Sequence, residues 1–147
     1  MLKVVLDTVV FVRALINPHG PSGQILFLHS AKYELQFSAP TRAELLEVLQ
    51  RPAITRKIKT AGAVEQPRLL ALVGQAPIVA LGQVPPVSHD PKDDVFLATA
   101  EAVQADFLVS EDQDLLVLGS HGNTRIVNAA AFLHVLERIS SSEGSGV

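Results

Sequence analysis

Asp7, Glu44, Asp94 and Asp112 each stand where an apolar run of strand character meets a segment of helical character. In a parallel α/β sheet such junctions share one edge, the edge at which ligands bind. Carboxylates gathered there repel one another unless a divalent cation joins them. Oxygen donors with no sulfur among them suit Mg²⁺ or Mn²⁺. Such an ion lowers the pKa of a bound water and stabilises charge on a phosphoryl oxygen, and a pair of ions clamps both the attacking and the leaving oxygen. The chemistry indicated is phosphodiester hydrolysis.

Each acid also has a structural role open to it. Asp7 follows the run LKVVL and could equally cap the helix that begins near Val9. Thr41-Arg42-Ala43-Glu44 has the form of a capping box, which for Glu44 alone is the stronger reading. Asp94 opens the helix DVFLATAEAVQA, with Asp90 and Asp93 crowding the same turn. The helix dipole favours acids there by a few tenths of a kcal/mol each, which accounts for one or two of them but not for three. Asp112 and Asp114 could form a solvated turn with Asp114 as the cap. In the alternative, Asp112 faces the same edge as Asp7 and Asp94, and Ser110 donates a hydrogen bond into the site. Glu47 reads as part of a solvated face. The histidines (His19, His29, His89, His121, His134) are scattered and lack HExxH spacing, so zinc is disfavoured. Phosphate-binding loops, dinucleotide fingerprints and serine nucleophile elbows are absent from the sequence.

The elements that must hold these acids alternate along the chain. LKVVL (2–6) reads as a buried parallel strand, and 9–16 as a short helix stopped by Asn17-Pro18 and Gly20. Ser22 is expected to cap a second helix, GQILFLHSAK. YELQFS (33–38) reads as one alternating strand. Pro40-Thr41 opens the helix RAELLEVLQR, followed by helical stretches at 54–60 and 65–75. A short extended segment at 78–81 and the loop VPPVSHDPKDD lead to the helix from Asp94. DFLVS (106–110) and 124–127 read as strands, DQDLLVLG as a turn or two of helix, and AAAFLHVLERI as the last helix. The pattern predicts a three-layer α/β/α sandwich with a mainly parallel sheet. It predicts one domain over 1–138 and a flexible polar tail over 139–147.

The chain has 147 residues, 48% of them apolar, which suits one domain with a sizeable core. It has no cysteine, so disulfides, thiolate metal sites and cysteine nucleophiles are excluded. The short apolar start and the lack of a long apolar run lead to the expectation of a cytoplasmic, non-membrane protein. Net charge is −3, but the charge is segregated. Residues 42–68 carry six basic groups (Arg42, Arg51, Arg56, Lys57, Lys59, Arg68) against three acids, whereas residues 90–114 carry eight acids against Lys92 alone. This suits a cation site with phosphates beside it, and equally a set of solvated helix faces.

Taken in order, the segments VVLDTVVFVRAL, AELLEVL, DPKDDVFLATA and DFLVSEDQDLL resemble the PIN domain family, in particular its toxin branch from type II (VapC-like) toxin–antitoxin systems. The resemblance spans residues 2 to about 133. It implies a PIN-like fold and an Mg²⁺- or Mn²⁺-dependent ribonuclease that leaves a 5′ phosphate. It places the acidic quartet on Asp7, Glu44, Asp94 and Asp112, with Thr8, Asp90, Asp93, Ser110 and Asp114 in support. Asp94 is preferred to Asp93 because three mainly apolar residues and the small Ala98 follow it, as in the family's helix. The resemblance further implies an RNA substrate, a cognate antitoxin protein and a homodimer. Two positions depart from the family pattern: Val9 replaces a common Asn, and Arg13 stands where a small residue is usual. Val9 motivates an alternative, a catalytically weak or inert PIN-like module that binds RNA or protein. A receiver-like signalling domain fits poorly, since Asp7 stands alone and YELQFSAP offers no phosphoacceptor.

Overall fold

Alternate residues of the central strands face two different cores. From β1 (Leu2–Leu6), Val4 and Leu6 enter one apolar cluster and Val5 the other; from β5 (Phe107–Val109), Phe107 and Val109 enter the first and Leu108 the second. Both faces of the sheet are therefore covered, and strands of this kind are apolar throughout rather than alternating. The computed structural model describes the backbone of residues 1–145 and the side chains of residues 1–139.

The main sheet also contains β2 (Tyr33–Leu35), β6 (Ser120–His121) and β7 (Thr124–Val127), in the order β2-β1-β5-β7-β6. All pairings are parallel except β6 with β7. One face is covered by α1 (Thr8–Ile16), α2 (Pro21–Gly23) with its π-helical continuation Gln24–Leu28, α3 (Ala39–Val48) and α8 (Ala129–Ser145). The other carries α6 (Pro91–Val103) and α7 (Gln113–Leu116). This is the expected three-layer α/β/α sandwich. The helices α4 (Pro52–Thr60) and α5 (Gln66–Gln75) extend the first layer through Ile58, Leu69 and Val73. No helix among the described residues is long and apolar enough to cross a membrane.

Several local readings change. YELQFS is two strands, not one: β2 joins the main sheet, while β3 (Phe37–Ser38) pairs with β4 (Ile78–Val79) in a separate ribbon. Ser22 caps nothing, because Pro21 already occupies the first helical position and Gly20 the cap. The helix expected there tightens and loosens into α, π and 3₁₀ turns. A Cβ at Gly23 would collide with the Pro18 carbonyl, so only glycine allows this close approach. The hairpin β6–β7 was not expected, although its two-residue Gly122-Asn123 turn, with Gly122 at φ 58, is a recognisable signal. Helix α8 is assigned through Ser145. The backbone of 139–145, part of the tail expected over 139–147, is thus helical, while the side chains beyond Ile139 and residues 146–147 lie outside the described residues.

Strand order locates the site. From β1 the chain steps to β2 on one side, then returns to place β5 on the other. The carboxyl ends of β1 and β5 therefore flank a topological switch point, where a crevice opens.

Candidate active site

Leu6 lies opposite Val109 in the register, so β1 and β5 end side by side. The Asp7 N–H still bonds the Val109 carbonyl at 2.9 Å. Ser110, wholly buried, donates from Oγ to Asp7 Oδ2 at 2.7 Å. The other Asp7 oxygen accepts from the Val9 N–H at 3.2 Å and caps α1. One side chain thus fills both roles weighed from the sequence. Burial raises the Asp7 pKa, with the Asp112 charge adding to it; hydrogen bonds from Ser110, Val9 and Thr8 pull the other way. Ser110 Oγ also accepts the Asp112 N–H at 3.0 Å, so this one hydroxyl fixes both acids.

Asp112, rather than Asp114, caps α7 by accepting the Asp114 N–H at 2.9 Å. Glu44 is released from capping altogether. The capping box is one turn earlier, between Ser38 and Thr41, with each side chain bonded to the other's backbone N–H. Glu44 instead reaches the cleft and accepts from Thr8 Oγ1 at 3.1 Å.

Helix α6 starts three residues earlier than its sequence suggests. Its cap is Asp90, which accepts the Lys92 N–H at 2.9 Å, and Pro91 is its first residue. Asp94 is therefore the fourth residue of the helix, at the end of its first turn, rather than its opening residue. Its Oδ1 accepts the N–H groups of Val87 (3.0 Å) and Ser88 (2.6 Å), which ties down the preceding loop. These bonds, that of Ser88 foremost, lower its pKa. Asp94 does not line the cleft; Asp93 does. Asp93 is 5% exposed, and its Oδ2 is buried with no hydrogen-bond partner among the described residues. Its pKa is pushed up to about 7, first by burial. The Asp112 carboxylate adds to this, accepting a hydrogen bond that only a neutral Asp93 can donate and repelling it when charged; Asp90 and Asp7 contribute further repulsion.

The cleft has a volume of about 540 Å³. It gathers Asp7, Thr8, Glu44, Asp90, Asp93 and Asp112 of the residues expected from the sequence, with Ser110 beneath it. One oxygen each from Asp93, Asp112 and Asp114 lie within 4.8 Å of one another. An all-oxygen set with an orphaned buried oxygen fits a hard divalent cation. Of the basic segment 42–68, only Arg51 lines the cleft, joined by Arg13 and Lys92 from elsewhere. Arg56 and Lys57 line a different hollow, and Arg68 pairs with Glu65 and lies over Phe27. Glu111 is a cleft residue that the sequence did not single out. Its position beside Asp112 was the available signal, but its bond to the Ala129 N–H across β7 was not readable.

Residues 3–114 match the PIN domain family. Among solved structures, the chain is similar to a protein in the crystal structure of VapBC2 from Rickettsia felis bound to a DNA fragment from their promoter. The identity is 17% over 86% of this chain and 98% of that one, with a TM-score of 0.55, a likeness of fold. No curated protein matches the sequence.

Proposed function

The chain belongs to the PIN domain family, and from that premise we propose that it is a divalent-cation-dependent endoribonuclease, the toxin of a toxin–antitoxin pair. The observation that carries this reading is the unrelieved crowding of Asp93 against Asp112 at the β1/β5 switch point. A buried carboxyl with no donor is costly in a folded protein unless a cation belongs beside it.

Asp93, Asp112 and Asp114 would hold Mg²⁺ or Mn²⁺, with Asp7 completing the negative wall. Such an ion, when bound, supplies Lewis-acid polarisation of a phosphoryl oxygen and a bound water of lowered pKa. Ser110 keeps Asp7 and Asp112 in place during the reaction. Glu44, held by its hydrogen bond from Thr8, would orient the attacking water and take its proton. Arg13, Arg51 and Lys92 on the rim attract the RNA backbone. Water would form a new bond to phosphorus opposite the leaving group as the P–O3′ bond breaks, the 3′ oxygen leaving as a hydroxyl with a proton from solvent and the phosphate remaining on the 5′ side. With few aromatic residues in the chain, substrate shape rather than base stacking selects the RNA. The kinship with a VapBC2 protein supports a cognate antitoxin as partner, and the toxin reading carries with it a homodimer and a cytoplasmic setting.

A second reading has its own observation. Val9 lines the cleft and contributes only its backbone N–H there, so the site lacks a side-chain donor at that position. An inert RNA- or protein-binding module would follow if that loss abolished metal binding. The thermal midpoint in EDTA and in millimolar Mn²⁺ decides between them. Native-state binding raises the midpoint by linkage, about 2.7 kcal/mol of stability at a hundredfold excess over Kd. A rise in wild type that vanishes in Asp93→Asn, with RNA cleavage under the same conditions, supports the nuclease. No rise in wild type moves the assignment to the inert module.

A further inference from the structure

Beyond Arg13 and Glu111, away from the acid cluster, lies a second hollow of about 350 Å³. Arg13 and Glu111 line both this hollow and the cleft, and their side chains stand 4.0 Å apart. The two spaces are therefore neighbours across that pair. The acid site gives the second hollow no role, yet Arg13, Asn17, Ser22 and Asn128 place polar side chains in its otherwise apolar lining.

Ser22 lines it and is only 5% exposed, and its hydroxyl makes no hydrogen bond among the described residues. Only Arg42 Nε and Asp93 Oδ2 are fully buried without a partner among the described residues, so the unpaired Ser22 hydroxyl meets solvent through this hollow and is free to donate to an occupant of it. The first turn of the long helix α8 opens onto the same space. There the Ala129 N–H is taken by Glu111 Oε1 and the Ala131 N–H by Asn128 Oδ1. The Ala130 N–H between them has no partner among the described residues and lies at the positive end of the helix dipole. Arg13 adds an exposed guanidinium at the mouth. Glu111 is the acid in the lining. Its two oxygens face the Ala129 N–H and Arg13, which leaves the Ser22–Ala130 side free of negative charge.

We propose that this hollow is a phosphate subsite that holds the backbone phosphate next to the scissile one, between the Ser22 hydroxyl, the Ala130 N–H and Arg13. The inference rests on the ribonuclease reading for the source of the phosphate, but not for the site itself. Metal-free full-length protein would be titrated with inorganic phosphate and followed by amide NMR. Saturable shifts at Ser22 and Ala130 are expected, lost in Ser22→Asp and kept in Asp93→Asn. Arg13→Gln, a change to an exposed side chain, should weaken the same shifts without touching the core, which guards against a Ser22→Asp protein that fails to fold. In a second arm, an RNA with one neutral methylphosphonate beside the cleaved phosphate should show KM raised about tenfold for wild type and little changed for Ser22→Asp. Shifts that are absent, or that survive Ser22→Asp in a folded protein, overturn the subsite and leave the nuclease standing. Saturable phosphate binding with no RNA cleaved by wild type overturns the RNA strand as its occupant and keeps the site.

Discussion

Two hollows of nearly equal size, about 540 and 560 Å³, lie at opposite ends of β5, and acids line both. At the amino end, every acid has found a partner. Asp106 accepts the Lys3 N–H at 2.8 Å, and the exposed Glu101 faces His121 Nε2 at 3.3 Å. At the carboxyl end, Asp7 and Asp93 are buried beside Asp112, and Asp93 Oδ2 has no donor. Size therefore does not separate the proposed site from a surface dent. What separates them is unrelieved charge, held in place by tight strand register and by Ser110. The amino end has settled its electrostatics within the chain, whereas the carboxyl end keeps its carboxylates crowded, which is what the proposed cation site requires.

The largest effect should come from relieving that crowding. Asp93→Asn is expected to lower RNA cleavage by more than about a hundredfold, since losing even an indirect partner of a metal site costs 10–100-fold. The same change should raise the metal-free thermal midpoint, because it removes a buried charge facing Asp112. A variant that unfolds, or that cleaves normally, would show that the carboxyl end is as settled as the amino end.

The next effect is on pH. The folded-state pKa of Asp93, about 7, lies above its ordinary value of 3.8, and that of Asp7 is raised too. Between those limits the native protein binds more protons than the unfolded chain. Metal-free stability should therefore fall as pH rises from about 4 to 7, by on the order of 1–4 kcal/mol, and then level off. Urea unfolding in EDTA across this range would measure it. Asp93→Asn should flatten most of the slope. A flat wild-type profile would mean that the crowding is relieved by water.

A smaller effect sharpens the contrast within two adjacent residues. Asp94 is held below its ordinary pKa by the Ser88 and Val87 N–H groups, so it contributes stability above pH 3.8 that is lost as pH falls further. Asp94→Asn should lower the metal-free midpoint, opposite in sign to Asp93→Asn, and should leave the Mn²⁺-induced rise in place. Loss of that rise would return Asp94 to the metal site.

This pair also shows how far the sequence could be read. Layer order, the positions of the central strands β1 and β5 and the edge carrying the acids follow from apolar runs and their spacing, because a strand buried on both faces has few other ways to be written; the split of β2 from β3 and the strand β6 do not. Which acid faces the cleft does not follow. It depends on whether α6 starts at Pro91 or at Asp94, and each residue turns the helix by about 100°. The start is set by Asp90 capping and by a loop that folds back onto Asp94, a contact made through backbone N–H groups that leave no mark in residue types. Glu44 is a similar case. Thr41 and Glu44 have the spacing of a capping box, but Ser38 takes the cap because Pro40 is accommodated in the first turn, and Glu44 is left for the cleft. Ser22 shows the reverse, a residue expected to cap a helix that instead faces a hollow.

The smallest effect is expected at the amino end, and it tests the comparison from its quiet side. Asp106→Asn keeps an oxygen that can accept the Lys3 N–H, and the side chain is exposed. Stability should change by no more than about 0.5 kcal/mol, as for most surface substitutions. Cleavage and the Mn²⁺-induced rise should match wild type. Asp106 and Asp112 flank the same short strand, so a mere need for negative charge near β5 would make the two respond alike. Asp112→Asn can still cap α7, since asparagine is as good a cap as aspartate, yet it should lose metal binding. A metal response lost at Asp112 and kept at Asp106, with the fold intact in both, would tie the response to the geometry of the switch point rather than to the charge of the strand.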